Sequence, residues 1–282
     1  MLQVSQQVID AHSAASTPES LVVAIIDALG KGDVLCMATD DQRAMTVAAI
    51  ATAFEPDALV VHLPSSDALP GDEAPASPAN VGRRVAALRQ LRAATKNKAR
   101  RILLVTTAEA TAVRYPAPAM FDAAPPRLAV GDAIDVDAFA DIAAEIGYIV
   151  DDRVDEPGEI ALRGGVIDIF PADREHPVRI EFAEGVITGL RNYDPVSQLS
   201  EGDIDRVEIG RATEPTVEDG VSVLAHLPDA AIAFDEGAER RRTRFLAIAA
   251  DGLPRRKAVA DLVDDKAWQA AVAERDAVAI EG

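Results

Sequence analysis

The sequence predicts an α/β fold: a parallel α/β domain interrupted by a smaller α+β domain that carries an antiparallel sheet. Three observations lead there. Short, continuously apolar runs at 34–37 and 59–61, and the strand-like stretch 101–107 with its Ile-Leu-Leu-Val centre, alternate with helical patterns, as buried parallel strands do. Between 156 and 194 the apolar residues instead alternate with charged ones, and Gly and Pro turns part the segments, as in an antiparallel meander. After Gly210 the pattern returns to α/β. The boundaries this implies are a first domain at 1–117, an inserted domain at 118–210 and a return to the first core at 211–282.

The elements follow in order. Residues 1–17 read as a polar lead-in with some helical potential. Pro18, Glu19 and Ser20 open a helix through Leu21, Val22, Ile25, Ile26 and Leu29, and Gly30 closes it. Asp40 and Asp41 start the next helix, because negative charge suits a helix N-terminus. Ser77 or Asn80 caps a third, with Val81, Val85, Leu88 and Leu91 on one face. Proline and alanine dominate 116–126, which reads as a linker. An amphipathic helix at 136–146 leads into the meander. Val166, Ile167, Ile169 and Phe170 stop at Pro171; Val178, Ile180 and Phe182 interleave with Arg179 and Glu181, and Glu184-Gly185 turns the chain back. A strand at 230–234, a charged helix at 239–248 and a helical last thirty residues, with Trp268 as core anchor, complete the chain.

Composition bounds the function. With 282 residues, 49% hydrophobic and 27% charged, the chain is globular rather than disordered. A net charge of −19 repels phosphate backbones on average and disfavours a free-standing nucleic-acid binder. One cysteine, Cys36, lies in an apolar run and has no partner in the chain for a disulfide, which fits a reducing cytoplasm. No segment reaches the roughly 18 apolar residues of a membrane helix, so the expectation is a soluble, cytoplasmic protein without a membrane partner.

No catalytic constellation is legible. A phosphate-binding loop needs strand, G-x-x-x-x-G-K-[ST], helix, so that backbone N–H groups cradle phosphate. Gly30-Lys31-Gly32 lacks the length and follows a helix, and Thr39-Asp40-Asp41 after the first strand presents carboxylates instead. Residues 231–236 look like a Walker B strand ending in Asp235-Glu236, but without the loop they read as a strand and a solvated acidic turn. His12, His62, His176 and His226 are scattered without ligand spacing, so no metal is expected. No cofactor and no enzymatic activity are expected. One oddity remains: Arg83, Arg84, Arg89, Arg92, Lys96, Lys98, Arg100 and Arg101 follow one another with no acidic residue between them. Arg83, Arg84, Arg89 and Arg92 form a candidate strip for nucleic acid or an acidic partner, against the plainer reading of a solvated helix face. Arg240, Arg241, Arg242 and Arg244 repeat the ambiguity.

The meander's charged positions, Glu159, Arg163, Asp168, Arg179, Glu181 and Arg191, make a mixed-charge face that either meets a partner or is simply solvated. The run E-P-G-E-x-A-x-R-G-G-V-I-D-I-F-P from Glu156, followed by P-V-R-I-E-F and Y-D-P-x-S-Q, resembles the UvrB-homology module of transcription-repair coupling factors (Mfd). The L-P-x-x-D-x-L-P segment from Leu63 resembles it too, with Ser66 where many relatives carry an aromatic residue. The resemblance covers roughly 20–235. It implies a degenerate P-loop-type first domain that has lost the loop UvrB keeps, and an inserted UvrA-binding-like domain. It further implies a non-catalytic module docking on a UvrA-like protein in transcription-coupled nucleotide excision repair. Arg163 and Glu159 align with the interaction segment; Arg179 and Glu181 follow on the face opposite Ile180, and Arg153 sits in the entry loop. Ala161 stands where UvrB has a second arginine. Full-length coupling factors continue into an RNA-polymerase-binding domain and a DNA translocase, so the remainder of such a factor and RNA polymerase are implied partners if the chain is a piece of one. The alternatives are a nucleic-acid-binding accessory domain using 83–101, a degenerate enzyme retaining nucleotide binding, and a stand-alone relative with a changed partner.

Overall fold

The computed structural model describes residues 17–70, 72, 74–215, 219–253 and 261–280. The lead-in at 1–16 and the stretch from Arg255 to Lys257 lie outside them. The chain forms two compact units, one within residues 1–75, 87–122 and 216–282, the other within 76–86 and 123–215.

The first unit is parallel α/β. Thr17 caps the Pro18–Leu29 helix, its hydroxyl accepting from Ser20 N at 3.2 Å, and Leu21, Val22, Ile25 and Leu29 turn inward. Strand β1 (Val34–Ala38) is buried at all five positions, as its unbroken apolar run requires. Asp40 caps the Asp41–Phe54 helix through Arg43 N at 2.9 Å, and β2 (Leu59–Leu63) follows. Strand β3 (Ile102–Thr107) lies between β1 and β2, and the Ala231–Phe234 strand pairs with the other side of β1, all parallel. The late strand therefore returns to the first core, in register Val34↔Ala231.

Two expectations in this unit change. The stretch from Pro116, read as a linker, is packed as far as Asp122: a 3₁₀ turn at Pro118–Phe121 buries Phe121 edge-to-face against His226, and Pro116 O receives the His226 Nε2–H at 3.0 Å. Of the helix expected across the last thirty residues, the described residues show Asp265–Val272; Ala277 then bridges Ile232 in parallel. Trp268 is the anchor expected of it, 1% exposed, with the Arg242 guanidinium 4.8 Å above its ring.

The second unit is built on a six-stranded sheet. Its strands are β5 (Ile149–Val150), β6 (Glu159–Arg163), β7 (Val166–Ile169), β8 (Val178–Ala183), β9 (Val186–Tyr193) and β10 (Ser200–Asp203). They lie in sequence order and pair antiparallel, except that β5 runs parallel to β6. A two-stranded ribbon of β4 (Arg127–Ala129) and β11 (Arg206–Glu208) and the Val136–Glu145 helix complete it. Alternation decides the faces: Ile160, Ile167, Ile169, Val178, Ile180 and Leu190 enter a core with Phe139, Ile146, Tyr148 and Ile209. Ser77, rather than Asn80, caps the Pro78–Asn97 helix, accepting from Asn80 N at 3.3 Å. One turn on, Gly82 passes so close to Ala172 that a Cβ there would stand 2.3 Å from its carbonyl carbon, which only glycine permits.

Candidate functional site

Cross-strand register gathers the charged side chains of the second unit onto the face opposite its core. Ala161 lies across from Asp168, Asp168 from Arg179, Arg179 from Arg191 and Arg191 from Asp203. The next row toward the β6–β7 turn runs Arg163, Val166, Glu181, Gly189. Directly opposed residues on one face stand about 5 Å apart between Cβ atoms, so opposite charges in a row pair across strands.

Most of them do. Arg179 donates both Nε and Nη2 to Asp168, at 2.7 and 2.8 Å, and stacks 5.0 Å above the Tyr193 ring. The carboxylate beside it holds the guanidinium's pKa above its ordinary value. Asp168 is thus only 4% exposed, not one of the face's open charges as the alternation predicted. The cause is the register, which sets Arg179 over it. Glu181 pairs with Arg191 at 3.0 Å. Glu159 turns back on its own chain, accepting Asp155 N and Glu156 N at 2.9 Å each, and so fixes the entry turn. Arg153 donates to the carbonyls of Pro195 and Val196 at 3.1 and 3.0 Å and pairs with Asp155 at 3.3 Å.

Arg163 differs. It is the last residue of β6, exposed, and makes no hydrogen bond or ion pair among the described residues. A two-residue connection, Gly164-Gly165, turns the chain directly after it, with Gly164 at φ +57°, where glycine is favoured. Across from Arg163 stands Val166, and the Glu181 carboxylate beyond in the same row is taken by Arg191. Ala161, by contrast, is buried with Val154 and Phe170 and offers no charge. Two features escaped sequence reasoning: the Tyr193 ring under Arg179, and the exposed Val196 and Leu199 beside the loop that Arg153 holds. The Glu184-Gly185 turn could not signal the first, because a bulge between Glu181 and Phe182 shifts the β8–β9 register by one residue before Arg179.

The basic segment does not act as one strip. Arg83 is exposed and donates to Ala79 O at 3.2 Å, while Arg84 is 4% exposed and paired with Glu214 at 2.8 Å. Arg89 is half-buried and engaged. Arg92 forks onto Asp122 at 2.8 and 3.2 Å, joined by Lys96 at 3.1 Å, and these cations hold the Asp122 carboxyl down at about 2. In the second basic cluster Arg241 pairs with Glu109 and buried Arg242 with Asp265.

At the end of the Ala231–Phe234 strand, Asp235 is 5% exposed rather than solvated. Its carboxylate accepts Arg43 Nε and Nη2 at 3.1 and 2.9 Å and Thr39 N and Oγ1 at 3.3 and 3.1 Å. Burial this deep needs that pairing, which the sequence did not show, because Arg43 is 192 residues away. Cys36 is fully buried, and burial raises its thiol pKa well above the ordinary range. Among the described residues no group of three or more His, Cys, Asp or Glu is placed to hold a metal ion, and no helix is long and apolar enough to cross a membrane.

Residues 127–214 match the family model described as the UvrB interaction domain. The chain is similar, more particularly, to transcription-repair-coupling factors. It is 38% identical over 102 residues to that of Staphylococcus aureus strain MRSA252 and 37% over 102 residues to that of strain USA300. It is 40% identical over 100 residues to that of Staphylococcus epidermidis. Each match takes in 36% of this chain and 8% of the relative, so the chain spans a small fraction of the curated relatives' length.

Proposed function

We propose that this chain is a non-catalytic docking module that engages a UvrA-type protein in transcription-coupled nucleotide excision repair, in the cytoplasm, through the charged face of its antiparallel sheet. The UvrB interaction domain match and the coupling-factor relatives support the partner class. The observation that carries the site is Arg163: of the five charged residues proposed there, it alone is exposed without an internal partner among the described residues. Arg179 and Glu181 flank it as pre-paired charges that hold the face in shape and contribute specificity and encounter rate. Glu159 and Arg153 act one step back, by fixing the loops around it.

The reading of the first unit as a degenerate P-loop domain rests on the β1 end. Only Thr39 and Asp40 separate β1 from the following helix, and the Asp235 carboxylate is already occupied by Arg43 and Thr39. A nucleotide would meet neither a glycine-rich cradle nor an open carboxylate for its magnesium. On this reading ATP with magnesium produces no thermal shift, and a shift that saturates would sink it. If the chain is one part of a longer coupling factor, the remaining parts and RNA polymerase are its further partners, and DNA contacts it weakly or through them.

The test is calorimetric titration against UvrA of the same organism, with Arg163→Glu alongside. Binding that the reversal reduces by at least about tenfold is expected, the scale of an interface hot spot. Undiminished binding by the variant would move the site off this face, and no binding by the parent chain would mean a changed partner.

A further inference from the structure

The first unit carries a cleft of about 760 Å³ at the end of the sheet where β3 begins, away from the Asp235 end of its neighbouring strand. Its rim holds Lys98, Arg100 and Arg101, all exposed and without an ion pair among the described residues. In a chain of net −19 an unneutralised trio of cations is unusual. The cleft's other lysine and arginine are already matched: Lys31 with Asp27 at 2.7 Å and Arg92 with Asp122 at 2.8 Å. Asp33 and Asp229 also border the cleft, and the Asp33 carboxylate is taken by Ile102 N at 2.9 Å. Between the charges the half-buried Pro118 and the exposed Pro228 offer apolar surface, while Ile102 and His226 are buried.

We propose that this cleft receives an acidic segment of another protein, whose carboxylates meet Lys98, Arg100 and Arg101 while an apolar side chain packs against Pro118 and Pro228. The lining decides between the two polyanions a basic rim attracts. A nucleic-acid strand held by a protein groove uses aromatic rings to stack its bases, and no Phe, Tyr or Trp lines this cleft. Two accessible prolines beside arginines suit a peptide that alternates acidic and apolar residues, which desolvates them and so strengthens the charge pairs around them. The segment predicted as a nucleic-acid strip thus acts at its far end, 98–101, not at 83–92.

The probe is a short fluorescein-labelled peptide repeating Glu-Asp-Leu, titrated into the whole chain by anisotropy. Single-stranded DNA of equal charge and a Gln-Asn-Leu peptide serve as comparisons. Saturable binding of the acidic peptide is expected, weakened about tenfold or more by Arg100→Glu with Arg101→Glu, as charge reversal at a docking surface does. It should also weaken as salt shortens the screening length. The Gln-Asn-Leu peptide should bind at least about tenfold more weakly still, a readout independent of how the protein variant folds. DNA binding as tight as the peptide's would overturn the proposal in favour of nucleic acid. Absence of saturable peptide binding, or affinity indifferent to the double reversal, would overturn it outright.

Discussion

Two carboxylate–arginine forks in this chain share a geometry and differ in what surrounds them. At the end of the parallel sheet Asp235 is held by Arg43 and by both the backbone and the hydroxyl of Thr39, and the Arg43 side chain is 18% exposed. On the antiparallel sheet Asp168 is held, among the described residues, by Arg179, which is 30% exposed over Tyr193, and Arg163, without a hydrogen bond or ion pair among those residues, stands one row away. The first fork closes a site. The second leaves a charged surface in shape, with a cation to spare. A buried ion pair is weak evidence for stability, but it is strong evidence about what a surface can still offer, since committed charges cannot be shared without a desolvation cost.

The comparison breaks most directly at the closed fork. Arg43→Ala strands a buried carboxylate, and the loss should be about 3–5 kcal/mol, the range for removing one partner of a buried pair. Urea denaturation measures it. Combining it with Asp235→Ala should recover a good part, because no charge is then left unmatched. A loss under about 1 kcal/mol for the single variant would show that water reaches Asp235, and the site would not be closed.

The same unit contains a second sealed group. His226 is 3% exposed, its Nε2–H is given to Pro116 O, and burial pushes its pKa down from 6.5 to about 4. Below pH 6.5 the unfolded chain takes up a proton that the folded chain refuses, so stability must fall as pH drops from 6.5 to about 4 and level off below. The full effect approaches about 3 kcal/mol at one pKa unit per 1.36 kcal/mol. His226→Gln should flatten this part of the pH profile of thermal unfolding, even though it lowers stability at pH 7. An unchanged slope in the variant would assign the acid sensitivity to other groups.

At the open fork the expected loss is smaller. Arg179→Ala uncovers Asp168, which can then rehydrate from the exposed side, so about 2 kcal/mol is expected, as for a hydrogen bond to a charged group. Arg179→Lys should recover only part, because a lysine cannot fork onto two carboxylate oxygens. A change within about 0.5 kcal/mol would make the whole face an ordinary solvated one.

How far the sequence carried these conclusions depended on distance along the chain. The strands, caps and faces were legible because they rest on local period and local chemistry: Asp40 before its helix, Val178-Ile180 against Arg179-Glu181, the Glu184-Gly185 turn. What was illegible were pairings made by tertiary contact. Arg84 looked like part of a basic strip until Glu214 arrived beside it, 130 positions later, and Asp235 looked solvated until Arg43 did. Charge in a sequence locates cations and anions; it does not say which cancel. The proposed site narrows to Arg163, because the other four of its five predicted members are engaged within the chain.

Arg163→Ala is therefore the variant with the smallest effect on folding and the most to say about function. An exposed side chain with no internal partner contributes little to stability, so its denaturation midpoint should stay within about 0.5 kcal/mol of the parent's. Arg179→Ala, one row away on the same face, should show the reverse: a clear stability loss and, at a temperature where it stays folded, a milder loss of UvrA affinity. A double-mutant cycle read in both denaturation and titration separates the two residues, since additive stabilities with a coupled binding energy mean that they act on one partner surface. If Arg163→Ala instead unfolds the sheet, the residue is part of the scaffold, and the distinction between a closed and an open fork disappears.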